Sequence, residues 1–206
     1  VSGFPTLLDR ILFDPMSYIH PARLRQDDGM CTIGARSVLN DMIIDAYRLP
    51  VDIALQLSRA ERLLVAIWPM LPAVGALVGA QLLKSELAWG GAQLALPGWL
   101  RRFASMPIRR PPVSDDAGGR FVRAFGMPFV QAVGVAQLTA WQEAASPALR
   151  ARIALPFPPE VDAPLPEWEA VPGGAADVLL IHQAIQYAKN HPDVPAGGAD
   201  GRRARS

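Results

Sequence analysis

The apolar positions of this chain fall at helical rather than strand spacing. They are densest over residues 58–83, SRAERLLVAIWPMLPAVGALVGAQLL. Ser58 with Glu61 three residues later is a capping box, which places a helix start there. Ala60, Leu63, Leu64, Ile67, Trp68 and Leu71 then line one broad apolar face. Pro69 and Pro72 remove backbone donors, at about 3 kcal/mol each inside a helix, so the pattern predicts a break near them. A second helix resumes at about Ala73 with Val74, Leu77, Val78 and Leu82. Gly75 and Gly79, one turn apart, leave room for another backbone to come close. Residues 58–88 therefore read as a proline-broken helical hairpin at the hydrophobic centre.

The flanking pattern is also helical. Thr6 caps a short helix, Leu7–Phe13, which Pro15 ends, and two prolines make 13–24 irregular. Ser37 caps a helix with Val38, Leu39, Met42, Ile43, Ala46 and Tyr47 inward and Asn40, Asp41, Asp45 and Arg48 outward. Lys84 continues the second central helix as far as Gly90-Gly91. Pro97 opens a short helix with Trp99, Leu100 and Phe103 apolar. A helix over 120–125 is interrupted by Gly126 and Pro128. Residues 129–143 form a longer helix with Val130, Val133, Leu138 and Trp141, and Ser146-Pro147 starts another running to about Leu155. The acidic, proline-rich stretch 156–172 reads as an extended, solvated connection anchored by Trp168. A last helix over 175–190 turns Val178, Ile181, Ile185 and Ala188 inward. With no strand pairs or repeats, the expected class is all-α: one compact multi-helix domain over 1–190 and a disordered tail over 191–206.

The central run has a second reading. No residue from 63 to 83 is charged, which is long enough to span a bilayer. Against a span stand Gln81 inside the run, the unbiased flanks Arg62 and Lys84, and amphipathic neighbours that need a surface to pack on. A buried core is the preferred reading, with a membrane anchor through 63–83 as the alternative.

Composition narrows the class. Half of the 206 residues are apolar, enough for an ordinary core. A net charge of +1 argues against a dedicated nucleic-acid binder. The single cysteine, Cys31, forms no internal disulfide, which suits a reducing compartment. The opening VSGFPTLLDRILF begins on Val1 rather than methionine and lacks the basic region and cleavage site of a signal peptide, so the expected location is cytoplasmic.

Candidate chemistry is sparse. His20, His182, His191 and Cys31 make no pair at metal-ligand spacing. His182 reads as a packing histidine, His20 as a loop tie, and Cys31 as a structural thiol. The glycine pairs lack the Lys-Ser/Thr of a phosphate loop, and Asp115-Asp116 sit in a loop with nothing to desolvate them. No catalytic, cofactor-binding or metal residue is expected. The strongest surface signal is Arg101, Arg102, Arg109, Arg110, Arg120 and Arg123, read either as a solvated face or as a dock for an acidic protein, anionic lipid or nucleic acid. Aromatic residues are not interleaved among them, which weakens the nucleic-acid case.

The string FDPMSYIHPARL (Phe13, Pro15, Tyr18, Ile19, His20, Pro21, Arg23 and Leu24) resembles the signature near the start of the SctK family, especially its YscK/PscK branch. SRAERLLVAIWPMLP, followed by an apolar helix, GG and LPGWLRRFASMPI, is a second likeness. The resemblance covers about residues 4–110. It implies a non-enzymatic, cofactor-free adaptor of the type III secretion sorting platform. Such an adaptor joins the cytoplasmic, forkhead-associated-like domain of the inner-membrane ring protein to the pod protein, at the cytoplasmic face of the inner membrane. It needs two surfaces; the arginine region 101–123 is one, and the N-terminal segment or 156–172 the other. Within the signature, Pro15, Tyr18 and Pro21 are expected to set loop shape rather than touch a partner.

Overall fold

Side-chain caps set where helices begin in this chain. The computed structural model describes residues 6–24, 33–52, 56–89, 91–108, 126–163 and 176–195, and none of these lies in a strand. In order the helices are α1 (Leu7–Phe13), α2 (Ile33–Ala46), α3 (Arg59–Ile67), α4 (Leu71–Leu82) and α5 (Lys84–Trp89). They are followed by α6 (Gly98–Ala104), α7 (Met127–Trp141), α8 (Pro147–Arg150) and α9 (Val178–Asn190). The fold class is all-α.

The expected capping box at Ser58 forms, and the Thr6 cap is a second box, closed by Asp9. Thr6 Oγ1 accepts from Asp9 N–H at 3.2 Å while the Asp9 carboxylate accepts from Thr6 N–H at 2.9 Å. Ser58 Oγ accepts from Glu61 N–H at 3.2 Å, and Glu61 Oε2 accepts from Ser58 N–H at 2.8 Å. The chain stays helical through Pro69 and Pro72, because α3 passes by a 3-10 turn, Trp68–Met70, into α4. Each proline stands in the first turn of a new element, where its missing N–H has no helical acceptor to lose.

Contacts divide the chain into two compact units. The first takes residues 1–71 and 142–159. Its core includes Ile19, Ile43, Leu49 and Leu155, with Met16, Tyr18, Leu24 and Ile44 packed against them. The second takes residues 72–141 and 160–195. Its centre is the crossing of α4 and α7, where the backbones nearly touch. A Cβ on Gly79 would overlap the Val130 carbonyl, and one on Gly134 the Gly75 carbonyl. The glycine spacing of α4 is thus used as its sequence suggests.

Several expectations are corrected. Helix α2 starts at Ile33, a turn before Ser37, so Ser37 is an exposed helical residue and not a cap. Its inward face is also rotated: Val38 and Met42 are exposed, as is Tyr47 beyond the helix end, while Asn40 is buried. Asn40 is tolerated inside because both ends of its amide are bonded, Oδ1 to Met16 N–H and Nδ2 to Asp14 Oδ1, each at 2.9 Å. Helix α7 runs over Met127–Trp141, starting two residues before the expected Phe129, with Pro128 in its first turn.

Helix α8 stops at Arg150, well short of Leu155. Arg152 N–H closes a tighter turn onto Leu149 O, and the Arg152 side chain takes the Ala148 carbonyl that a continued helix would have used. Pro156 and Phe157 are buried, and Pro159–Asp162 is a 3-10 turn, so this part of the proline-rich stretch is not a solvated strand of coil. Val178 is 48% exposed because Asp177 caps α9 and Val178 falls in its first turn, facing out. The expected tail begins too early, since Val194 is buried and Asp193 is ion-paired. The expected helix 120–125, Trp168 and residues 196–206 lie outside the described residues.

Candidate functional site

The signature near the N-terminus folds as a bracket in the first unit. Pro15 is buried and opens a 3-10 turn, Pro15–Ser17, that brings Tyr18 back under α1. Tyr18 OH donates to Ile11 O at 2.8 Å, and its ring meets Trp68 edge-on at 5.4 Å. His20 N–H donates to Leu155 O at 2.8 Å, and His20 Nδ1 accepts from Ala22 N–H, capping the turn Pro21–Arg23. Arg23 Nε donates to Phe157 O at 2.7 Å. Leu24 packs half-buried against the core. The motif therefore ties the first two dozen residues to main chain more than 130 positions away. Phe13 stands apart: it is 54% exposed, and Pro21 is exposed too.

Behind this bracket lies a residue that the sequence reading passed over. Arg152 is fully buried and donates to three carbonyls, Pro50 O at 2.5 Å, Ala148 O at 2.8 Å and Leu12 O at 3.0 Å. It makes no ion pair with any described carboxylate; carbonyl dipoles carry the compensation. Burial pulls its pKa down, and burial pushes the Tyr18 phenol well up, partly offset by the nearby Arg152 charge. Tyr18 thus stays a neutral donor beside a cation. The only sequence signal was an arginine set among Leu149, Ile153 and Leu155, which also fits a surface helix.

Glu61 extends the polar framework. Besides capping α3, its Oε1 accepts from Ser146 N–H at 2.9 Å, joining α3 to the start of α8. Burial raises its pKa, but the hydrogen bonds from Ser146 and Ser58 outweigh it and leave the carboxyl below its ordinary value.

In the second unit the arginine region divides. Arg101 and Arg102 are exposed on α6. Arg102 is paired with Asp193, beyond the end of α9. The same end is fastened by Tyr187 OH to Trp99 O at 3.1 Å, by the Phe103 ring at 5.0 Å and by His191 stacked on Tyr187 at 3.8 Å. Arg102 is therefore partly spent on holding α9, whereas the Arg101 side chain has no bonded partner among the described residues. Arg109, Arg110, Arg120 and Arg123 lie outside the described residues, as does Cys31. His182 is exposed, with Nδ1 2.8 Å from Val178 O and its ring edge-on to Trp141. Among the described residues no three His, Cys, Asp or Glu side chains gather as a metal site.

Comparison with known proteins fits this architecture into a family. The family model described as "Bacterial type III secretion apparatus protein (OrgA_MxiK)" matches residues 8–190. The chain is 34% identical over 196 residues to the oxygen-regulated invasion protein OrgA of Salmonella typhimurium, covering 93% of this chain and 92% of OrgA. It is 40% identical over 72 residues to protein MxiK of Shigella flexneri, covering 34% of this chain and 41% of MxiK. No solved structure matches the chain. The matched family is one of secretion-apparatus proteins and not a known enzyme family. OrgA and MxiK are SctK proteins, the family that the FDPMSYIHPARL bracket resembles, and this chain belongs to it as a type III secretion apparatus protein.

Proposed function

We propose that the chain is the non-enzymatic adaptor of the sorting platform, joining the cytoplasmic domain of the inner-membrane ring protein to the pod protein at the cytoplasmic face of the inner membrane. The observation that carries this reading is membership of the apparatus family over residues 8–190, in a fold whose polar side chains serve structure. Pro15, Tyr18, His20, Arg23 and Arg152 are all engaged within the chain, whereas Phe13, Pro21 and Arg101 are exposed, which makes them candidates for partners among the described residues. The test uses the purified full chain with each purified partner. Binding to both is expected, with Arg101→Glu weakening one association only. Binding to neither overturns the adaptor.

One observation favours a second reading. The helical run Arg59–Leu82 is long and apolar enough to cross a membrane. Against it, 67% of its most apolar window is buried within the chain, as a core helix would be. Carbonate extraction separates the two: release into the supernatant supports a docked chain, and retention in the pellet supports a span.

A further inference from the structure

The outward face of α2 carries a pattern that its own fold does not use. Val38 and Met42, one turn apart, are 58% and 57% exposed, while Asn40 and Ile43 on the opposite side are buried. Beside the apolar pair run Asp41 and Asp45, also one turn apart and exposed. The only cation within the helix, Arg36, is turned the other way onto Asp14, bonded through Nε at 3.0 Å and a terminal nitrogen at 2.8 Å. The outward face is therefore an apolar stripe edged by negative charge that no cation among the described residues pairs with.

An amphipathic helix normally keeps one apolar stripe, and that stripe faces its own core. Here the core side accepts a buried asparagine while two large apolar side chains face water. Charge selects the occupant: negative residues along one edge repel anionic lipid and nucleic acid, and they complement a basic rim. We propose that α2 is a guest helix that docks Val38 and Met42 into an apolar groove, rimmed by Lys or Arg, on a protein partner of the adaptor. This is recognition of a helix in a groove, with anchors at i and i+4 and an electrostatic edge that sets orientation. The proposal rests on the adaptor reading and deepens it by naming one of its two surfaces.

The test measures binding of the full chain to the purified pod protein and, separately, to the purified cytoplasmic domain of the ring protein. The variants are Val38→Thr with Met42→Gln, and Asp41→Lys with Asp45→Lys. Expected is a tenfold or greater loss of affinity for one partner in both variants, with the other partner unaffected. The wild-type association that is lost should also weaken with added salt, while the charge-reversed variant loses most of that salt dependence. Thermal melting should be unchanged; if the apolar variant melts early, the charge variant still reads the same face. Unchanged binding to both partners, with the wild type binding normally, overturns the α2 proposal and leaves the adaptor reading intact. Failure of the wild type to bind either partner overturns the adaptor reading and α2 docking with it. A wild-type dimer that becomes monomeric in the apolar variant overturns the proposal in favour of a second copy of this chain.

Discussion

The two contact units of this protein are held by opposite means. The first is closed by side-chain donors aimed at main-chain carbonyls: Arg152 on Leu12, Pro50 and Ala148, and Arg23 on Phe157. The centre of the second is closed by the absence of side chains, where Gly75 and Gly79 on α4 meet Val130 and Gly134 on α7, with side-chain ties only farther out, at the end of α9 among others. Directional bonds tolerate irregular backbone, and the first unit is rich in turns. Backbone contact demands regular helices, and α4 and α7 are long and uninterrupted.

That contrast is open to direct attack. Arg152→Leu should have the largest effect, since it strands two buried carbonyls, of Leu12 and Ala148, and a half-buried one, of Pro50. At roughly 1–3 kcal/mol for each unsatisfied group, a loss of about 4 kcal/mol is expected in urea denaturation. Arg152→Lys should recover only part, because one ammonium cannot span three acceptors. Full recovery by lysine would show that charge, not geometry, is what the site needs. Next comes Gly79→Ala, which drives a methyl into the Val130 carbonyl and should cost about 3 kcal/mol as α4 and α7 part. A neutral result would mean that the two helices are not in backbone contact.

Glu61→Gln tests the first unit by pH. The folded carboxyl sits below its ordinary value near 4.5, so its contribution is complete above that pH and drains away as pH falls through the depressed folded value. The variant should lose about 1 kcal/mol at pH 7 and show a flatter fall of stability below pH 5. An unchanged acid slope would remove Glu61 from the account. The smallest effect has the opposite sign. Arg48 closes α2 with φ +49°, in the left-handed region where a side chain is strained, and Leu49 N–H reaches back to Ile44 O. Arg48→Gly should stabilise by about 0.5–1 kcal/mol, read as a small rise in Tm.

What the sequence made legible was local. Thr6 stands directly before the helix it caps, Ser58 and Glu61 are three residues apart, and the Gly75/Gly79 spacing is one turn. What it hid was distant. Asn40 looks like a surface residue until Asp14 and Met16 arrive from 26 and 24 positions away. Arg152 looks solvated until Leu12 arrives from 140 positions away. The phase of α2 was misjudged for the same reason, since apolar count favoured Val38 and Met42 while hydrogen bonding to a remote segment favoured Asn40. In the candidate site, the expectation that Pro15, Tyr18 and Pro21 set loop shape came with the family signature, and residue chemistry alone predicted only an irregular segment around the prolines. The division between a tied Arg102 and an Arg101 side chain with no bonded partner among the described residues was not readable from the sequence, because it depends on Asp193 beyond the end of α9.

The bracket also sets a timetable. Arg23 and His20 find their acceptors at Phe157 and Leu155, so these two ties have no means of closing until translation has passed residue 157. Until then Ile19 has Ile43 and Leu49 to pack on but lacks Leu155, and the Leu12 carbonyl lacks the Arg152 guanidinium. A nascent chain stalled before that point leaves donors of the signature without the carbonyls that accept them, so the bracket reports that residues 155–157 have been made.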